Sequence, residues 1–122
     1  MSADEISKAF VQHFYSTLDS TPANLSSLYQ PQSTLTFEGQ SVSGAENIVA
    51  KYQSVGQVQH NIGQLTVDHQ PYGENALLVF VTGQLQIGGQ TQPLLFAQTF
   101  QLVATAPGNY YIHNELFRLI YA

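Results

Sequence analysis

The spacing of the apolar residues changes midway along the chain, and this change limits the folds available to it. Near the amino terminus four apolar residues recur at intervals of four: Ile6, Phe10, Phe14 and Leu18. That interval places them along one side of a helix. From residue 58 onwards, apolar and polar residues mostly alternate, which is typical of strands that bury one face. The sequence therefore predicts helices followed by a sheet, an α+β fold.

Two helices are predicted before the first strand. Ser2 and Glu5 have the spacing of a capping box, so we expect the first helix to begin there and to end near Asp19. Thr21-Pro22 places a cap residue before a first-turn proline and begins a short second helix. We expect Pro31 to stop this second helix.

A strand and a third helix come next. Alternation over Thr34–Glu38 predicts a strand, closed by Gly39-Gln40. Ser43 and Glu46 repeat the capping-box spacing, which predicts a third helix that Gly56 terminates.

The rest of the chain is predicted to form strands joined by turns. In the strand that begins at Val58, the alternation of apolar residues slips by one position beside Gly63. This slip predicts a β-bulge. Turn sequences follow at 71–75, 88–89 and 107–109, separating strands over 76–81, 94–104 and 110–121. The run 76–81 is apolar at nearly every position, so we expect it to be covered on both faces. Short turns predict an antiparallel meander, which the bulge bends around the helices.

Composition limits the classes of function. The chain has 122 residues, 43 % hydrophobic and 9 % charged, which predicts one folded domain over residues 1–122. A formal charge of -5 disfavours direct nucleic-acid binding, since a phosphate backbone would be repelled. The absence of cysteine excludes disulfides and thiolate zinc sites. No apolar run approaches the roughly 20 residues that a membrane-spanning helix needs, so we expect a soluble chain without membrane insertion.

The histidines do not predict a metal site. Asp68 and His69 are neighbours on a strand, so their side chains point to opposite faces and cannot share an ion. His13 lies beside the apolar stripe of the first helix, where a structural role is expected. We expect no metal and no cofactor.

Six segments, in order and with their spacing, resemble the nuclear transport factor 2 family over nearly the whole chain. They are Phe10-Val-Gln-His-Phe-Tyr15, Leu35-Thr-Phe-Glu-Gly-Gln40, Asp68-His-Gln-Pro71, Val81-Thr-Gly-Gln-Leu85, Phe96-Ala-Gln-Thr-Phe100 and Phe117-Arg-Leu119. The resemblance implies a cone in which three amino-terminal helices pack on a strongly bent antiparallel sheet and leave an apolar cavity. It also implies a non-enzymatic homodimer that binds Ran-GDP and Phe-x-Phe-Gly nucleoporins to carry Ran into the nucleus. The expected location is the cytoplasm and nucleus, concentrated at the nuclear envelope.

The resemblance also implies which residues bind. Positions matching the family's Ran-binding site are Phe37, Glu38, Val55, Val58, His60, Phe117 and Leu119. Among them, Glu38 matches an acid that pairs with a switch-region arginine of Ran. Positions matching the family's dimer contacts are Phe80, Thr99 and Leu116.

Two positions depart from the family pattern. In the family, the turn that corresponds to residues 88–93 usually carries acids that engage a Ran lysine. Residues 88–93 of this chain contain no acid. An aromatic residue that helps to grip nucleoporin phenylalanines in some members is replaced by Ala3. These departures predict weaker contacts with both partners.

Two other functions stay open at this point. The same cone fold hosts isomerases and dehydratases, and His113 and Glu115 share the strand face of Phe117. A buried carboxylate with a raised pKa beside a histidine can abstract a proton. The third function is a dimerising module that recruits other proteins without Ran.

Overall fold

The computed structural model describes residues 2–106 and 108–120, which form helices packed on one sheet. The helices are α1 (Ala3–Ser20), a 3₁₀ helix (Pro22–Leu28), α2 (Ala45–Val55) and a short 3₁₀ helix (Ile62–Gln64). The strands are β1 (Tyr29–Phe37), β2 (Gln40–Ser43), β3 (Val58–His60), β4 (Thr66–Pro71), β5 (Ala76–Ile87), β6 (Leu94–Ala106) and β7 (Asn109–Ile120).

The predicted capping box of α1 is confirmed. The Glu5 backbone N–H donates to the Ser2 hydroxyl at 3.2 Å, and the Ser2 N–H donates to Glu5 Oε1 at 3.1 Å. These two bonds satisfy donors that the first turn of a helix leaves without partners. The apolar stripe of α1 then packs into the core, with Phe14 fully buried.

The second helix is a 3₁₀ helix and ends before the predicted position. Tyr29 already belongs to β1, so Pro31 lies inside a strand rather than at a helix end. The pairing of β1 with β7 shifts register between Tyr29 and Thr34. A proline lacks the N–H that a regular ladder needs, and this irregular stretch tolerates it.

The sequence did not reveal β2. Glu38 and Gly39 both have positive φ, 51° and 87°, and form a two-residue hairpin turn between Phe37 and Gln40. Because Ser43 is the last residue of β2, the predicted capping box at Ser43 and Glu46 is wrong. The cap residue of α2 is Gly44, without a side-chain hydrogen bond. The predicted end of α2 at Gly56 is confirmed.

The sheet is mixed and open. Its strand order is β2-β1-β7-β6-β5-β3, with β4 also paired to β5. The predicted antiparallel meander of β5, β6 and β7 is confirmed, but β1 pairs with β7 in parallel. The fold class itself, three helices packed on a bent sheet, is confirmed.

The predicted β-bulge at Gly63 is wrong. The chain instead breaks into β3 and β4, joined by the short 3₁₀ helix, and both strands pair with β5. Leu65 follows this break, and its side chain packs over Gly83 of β5, where an added Cβ would lie 2.5 Å from the leucine methyl. The change of buried face therefore comes from an interruption of the strand.

The strand β5 is buried on one face rather than on both. Val79 and Val81 are fully buried, whereas Phe80 between them is 41 % exposed. Pro107 in the predicted last turn and Tyr121 at the predicted end of the last strand lie outside the described residues. Within residues 2–106 and 108–120, no helix has the length and hydropathy to cross a membrane.

Candidate functional site

A partly open apolar cavity lies between the helices and the inner face of the sheet. Its volume is about 100 Å³. It is lined by Leu18, Phe37, Tyr52, Val55, Val58, His60, Leu85, Ile87, Gln98, Phe117 and Leu119. These residues come from both α-helices and from five strands, so the cavity exists only once the tertiary structure has formed.

Aromatic rings form one wall of the cavity. Phe37 of β1 and Phe117 of β7 are paired in the parallel ladder, and their rings stack at 4.6 Å between centroids with 16° between planes. The Tyr52 ring meets Phe37 edge-on at 5.9 Å. Lys51 Nζ lies 5.2 Å from the centroid of the Phe37 ring. Rings fixed in this way offer a preset apolar surface to another ring.

Glu38 lies at the rim of this wall. Its backbone N–H donates to the Phe117 carbonyl oxygen at 3.0 Å, and its Oε1 accepts a hydrogen bond from the Leu119 N–H. Both partners are cavity residues on β7. The hairpin turn therefore fixes a half-buried carboxylate beside the opening.

Asp19 and His60 form a second polar pair at the cavity. Asp19, in the last turn of α1, accepts the His60 backbone N–H at 2.7 Å and contacts His60 Nδ1 at 2.7 Å. A carboxylate only accepts hydrogen bonds, so Nδ1 carries the hydrogen. The imidazole also packs on Tyr15 and Phe96, with centroids 4.6 and 5.2 Å away. The pair joins α1 to β3 and holds the His60 ring in the cavity wall.

The structure brings the predicted Ran-binding residues together. Six of them line the cavity: Phe37, Val55, Val58, His60, Phe117 and Leu119. The seventh, Glu38, is hydrogen-bonded to Leu119. Sequence reasoning missed five lining residues: Leu18, Tyr52, Leu85, Ile87 and Gln98. Gln98 had a detectable signal, because it shares the strand face of Phe96 and Phe100 and so occupies an apolar position in the alternation.

A buried carboxylate lies behind the cavity wall. Glu115 of β7 is 2 % exposed. Its Oε1 accepts from the Tyr29 hydroxyl at 2.6 Å, and its Oε2 accepts from Gln98 Nε2 at 2.5 Å and from the Tyr52 hydroxyl. Burial raises the pKa of Glu115 to about 7, against the opposing effect of these three hydrogen bonds.

The predicted pairing of Glu115 with His113 does not form. The His113 ring lies against Tyr111, whose hydroxyl is 3.2 Å from His113 Nδ1. Glu115 is not among the residues that line the cavity, because Tyr52 and Gln98 stand between the carboxylate and the open space. The structure therefore does not bring Glu115 and His113 together at the cavity. Within the described residues, no three His, Asp or Glu side chains converge as metal ligands do.

The predicted dimer residues form one row on the outer face of the sheet. Phe80 is paired with Thr99, and Thr99 with Leu116, across β5, β6 and β7. Phe80 is 41 % exposed and Leu116 is 54 % exposed. Leu95 and Ile120, paired with each other, are also exposed on this face and were not predicted. The outer face thus carries an apolar patch in the single chain.

Comparison with known proteins gives the family. A family model described as the nuclear transport factor 2 (NTF2) domain matches residues 6–119. The chain is 48 % identical to nuclear transport factor 2B of Arabidopsis thaliana, over 100 % of this chain and 98 % of that protein. It is 43 % identical to the solved structure of nuclear transport factor 2 from Cryptosporidium parvum, with a TM-score of 0.85 and coverage of 96 % and 94 %. A structure of the C. albicans Mtr2-Mex67 M domain complex has the same fold, with a TM-score of 0.84 over 97 % of this chain at 11 % identity. The chain belongs to the nuclear transport factor 2 family.

Proposed function

We propose that this chain is a non-enzymatic adaptor that binds Ran-GDP at the apolar cavity and carries it into the nucleus. Relatives named nuclear transport factor 2 support a transport role. The observation that carries the Ran proposal is the partly open cavity, with Phe37 and Phe117 stacked in its wall and the Glu38 carboxylate at its rim.

The size of the cavity suits one apolar side chain of a partner. An apolar cavity of about 150 Å³ takes up benzene; this cavity, at about 100 Å³, is smaller but partly open, so it has room for the branched end of a side chain or part of a ring. Because the walls are already ordered by ring stacking, inserting that side chain costs little additional ordering. The cavity therefore supports docking of a protein rather than enclosure of a large metabolite.

Charge supports a basic contact at the rim. The chain has a formal charge of -5, and the half-buried Glu38 carboxylate contacts the cavity residue Leu119. A cationic side chain beside the inserted apolar residue would pair with Glu38. The turn at 88–93 offers no acid, so a second ion pair there is not available to this chain.

The remaining parts of the proposal follow from family membership and from the outer face. We propose that two copies dimerise through the row of Phe80, Thr99 and Leu116, which would remove the exposed apolar patch from water. We also propose that Phe-x-Phe-Gly nucleoporins bind away from the cavity. The chain then moves between cytoplasm and nucleus and concentrates at the nuclear envelope.

The geometry does not support the isomerase or dehydratase predicted from Glu115 and His113. Such an enzyme needs its acid and base in contact with the substrate. Glu115 lies behind Tyr52 and Gln98, and His113 contacts Tyr111 instead.

Calorimetry with Ran loaded with GDP or with GTP tests the central proposal. We expect binding of the GDP form and at least tenfold weaker binding of the GTP form, about 1.4 kcal/mol apart. Equal affinity for the two forms, or no binding of either, would contradict it.

Substitution of Glu38 by glutamine tests the rim carboxylate. Glu38→Gln keeps an oxygen that accepts the Leu119 N–H but removes the charge, so the fold is expected to be retained. We expect Ran-GDP affinity to fall roughly tenfold, since a partly desolvated ion pair loses one partner. Glu46→Gln is the matched control, because Glu46 is exposed in the first turn of α2 and outside the cavity lining. Equal affinities of the two variants would remove Glu38 from the binding site.

A further inference from the structure

We infer that Glu115 is a positioning residue for the cavity: its carboxylate holds Tyr52 and Gln98 in the cavity wall, and protonation of this carboxylate weakens binding of the partner's side chain. The inference rests on the proposed function in that Ran-GDP is the bound partner. It adds a residue outside the cavity lining to the machinery of binding.

The shell around the carboxylate consists of hydrogen-bond donors from three elements. Tyr29 at the start of β1 donates to Oε1 at 2.6 Å, while Tyr52 of α2 and Gln98 of β6 donate to Oε2. A charged carboxylate only accepts, so it matches every donor in this shell. A protonated carboxyl group carries a hydrogen of its own and no longer offers charge-assisted hydrogen bonds, so its contacts with the three donors weaken.

Two of the three donors are also cavity wall residues. Tyr52 and Gln98 line the cavity, whereas Tyr29 and Glu115 do not. Gln98 Nε2 also donates to the Tyr52 hydroxyl at 2.9 Å, and Gln98 Oε1 accepts from Tyr15 at 2.7 Å. The orientation of the Gln98 amide is therefore fixed at one end by Tyr15 and at the other by Glu115. A change at the carboxylate is transmitted directly to two wall side chains.

Glu115 is the member of this network that changes its charge near neutral pH. The groups facing it are Tyr29 from β1, Tyr52 from α2 and Gln98 from β6, with Tyr15 of α1 behind Gln98. Burial, and then the Glu115 charge, raise the pKa of all three tyrosines well above the usual value, so their hydroxyls stay protonated. Burial also raises the pKa of Glu115, to about 7.

The neighbouring Asp19 and His60 pair makes no hydrogen bond to the Glu115 carboxylate. Asp19 and His60 are bonded to each other, and the His60 ring packs on Tyr15 rather than on Glu115. Within residues 2–106 and 108–120, no Lys, Arg or His side chain bonds to the Glu115 carboxylate. The charge of Glu115 is therefore balanced by hydrogen bonds alone.

The test is Ran-GDP affinity measured by calorimetry from about pH 5.5 to 8.5, in the wild type and in Tyr29→Phe. We expect wild-type affinity to fall roughly three- to tenfold below pH 7, the effect of one hydrogen bond. Tyr29→Phe removes a donor that stabilises the anion, without altering the cavity lining, so the midpoint should move to higher pH. A merely structural role of Tyr29 would lower affinity equally at every pH and leave the midpoint in place.

Two further variants complete this measurement. In Glu115→Gln, Ran-GDP affinity should no longer show the pH-dependent fall whose midpoint Tyr29→Phe shifts. The introduced amide faces three donors and can impair folding, and for this reason the Tyr29→Phe midpoint is the primary readout. His113→Gln is the matched control, since it removes a titratable ring from the same strand outside the network, and it should keep the wild-type midpoint. A midpoint that is the same in the wild type and Tyr29→Phe overturns the inference.

A second readout separates this inference from the proposed function. The side-chain amide signals of Gln98 are followed by NMR over the same pH range, with xenon added as a probe of the apolar cavity. We expect both the Gln98 signals and the xenon-induced shifts to titrate with the Glu115 midpoint, and this midpoint to move in Tyr29→Phe. If Ran-GDP binds at no pH while these signals titrate, the Ran proposal fails and the positioning role stands. If the Gln98 signals stay constant with pH, the positioning role fails whatever Ran does.

Discussion

The two faces of β7 reverse the usual distribution of side chains, because a carboxylate is buried on one face and a leucine is exposed on the other. Glu115 points inward and is 2 % exposed, whereas the next residue, Leu116, points outward and is 54 % exposed. On the neighbouring strand, Gln98 is buried and Thr99 lies in the outward row. Carboxylates are rarely buried without partners, and large apolar side chains are rarely left in a row on a monomer surface.

Each reversal has its own physical compensation. On the inner face, three donors surround the Glu115 carboxylate, so its burial leaves no acceptor without a partner. On the outer face, no part of residues 2–106 and 108–120 covers the row, and we propose that a second copy does. The inner face is therefore ordered by the fold itself, while the outer face is the surface that the proposed dimer covers.

The strongest challenge to this contrast is a charge placed on the outer face. We expect Leu116→Glu to raise the dissociation constant of the dimer at least a hundredfold, roughly 3 kcal/mol, because the uncompensated charge appears on both sides of a two-fold interface. Sedimentation velocity measures this change. Gln53→Glu adds the same charge at an exposed position of α2, away from this face, so this control should stay dimeric. A Leu116→Glu protein that sediments as a dimer would place the interface elsewhere.

The inner face is challenged by changing pH. The pKa of Glu115 rises from 4.5 to about 7 on folding, so its stabilising contribution is full below pH 4.5 and is lost as the pH rises through 7. We expect the wild type to lose roughly 3 kcal/mol of unfolding free energy through this group by about pH 8. Urea denaturation of the wild type and Glu115→Gln isolates the effect as the difference between the two proteins. A difference that does not vary with pH would mean that the carboxyl titrates normally.

Removing one hydroxyl from each face should change the free energy of unfolding by different, smaller amounts. Tyr52→Phe removes one hydroxyl from the Glu115 shell and should lower the free energy of unfolding by about 1–2 kcal/mol. Thr99→Val on the outer face also removes a hydroxyl, but it should change the stability of the monomer by less than about 0.5 kcal/mol. Denaturation of both variants in the Leu116→Glu background avoids any contribution from the dimer. Equal changes in the free energy of unfolding would show that removing a hydroxyl from the buried network costs no more than removing one from the surface.

Prediction from the sequence succeeded where the cause is local. The Ser2 and Glu5 capping box and the helix end at Gly56 follow from backbone requirements within a few residues. Prediction failed where contacts between distant parts of the chain determine the local structure. The strand β2 is short, polar and at the sheet edge, so it lacks an alternating pattern. The break between β3 and β4 resembled a bulge, because both change the buried face by one residue.

The candidate site divides in the same way. The family resemblance supplied Phe37, Glu38 and Phe117, and alternation placed Phe117 on the inner face. Asp19 was not predicted, because its role depends on contact with His60, 41 positions further along the chain. The sequence placed Glu115 inward by alternation, but it suggested His113 as the partner.

The sequence by itself determined the periods of the helices and strands and, through them, which side chains face inward. Only the tertiary structure decided which inward residues meet. Tyr29, Tyr52 and Gln98 converge on Glu115 from positions 86, 63 and 17 residues away. Local spacing fixes the direction of a side chain relative to its own backbone, whereas a hydrogen bond between distant elements depends on how those elements pack. For this reason the inward direction of a wall residue such as Phe117 was predictable, whereas the network that supports the wall was not.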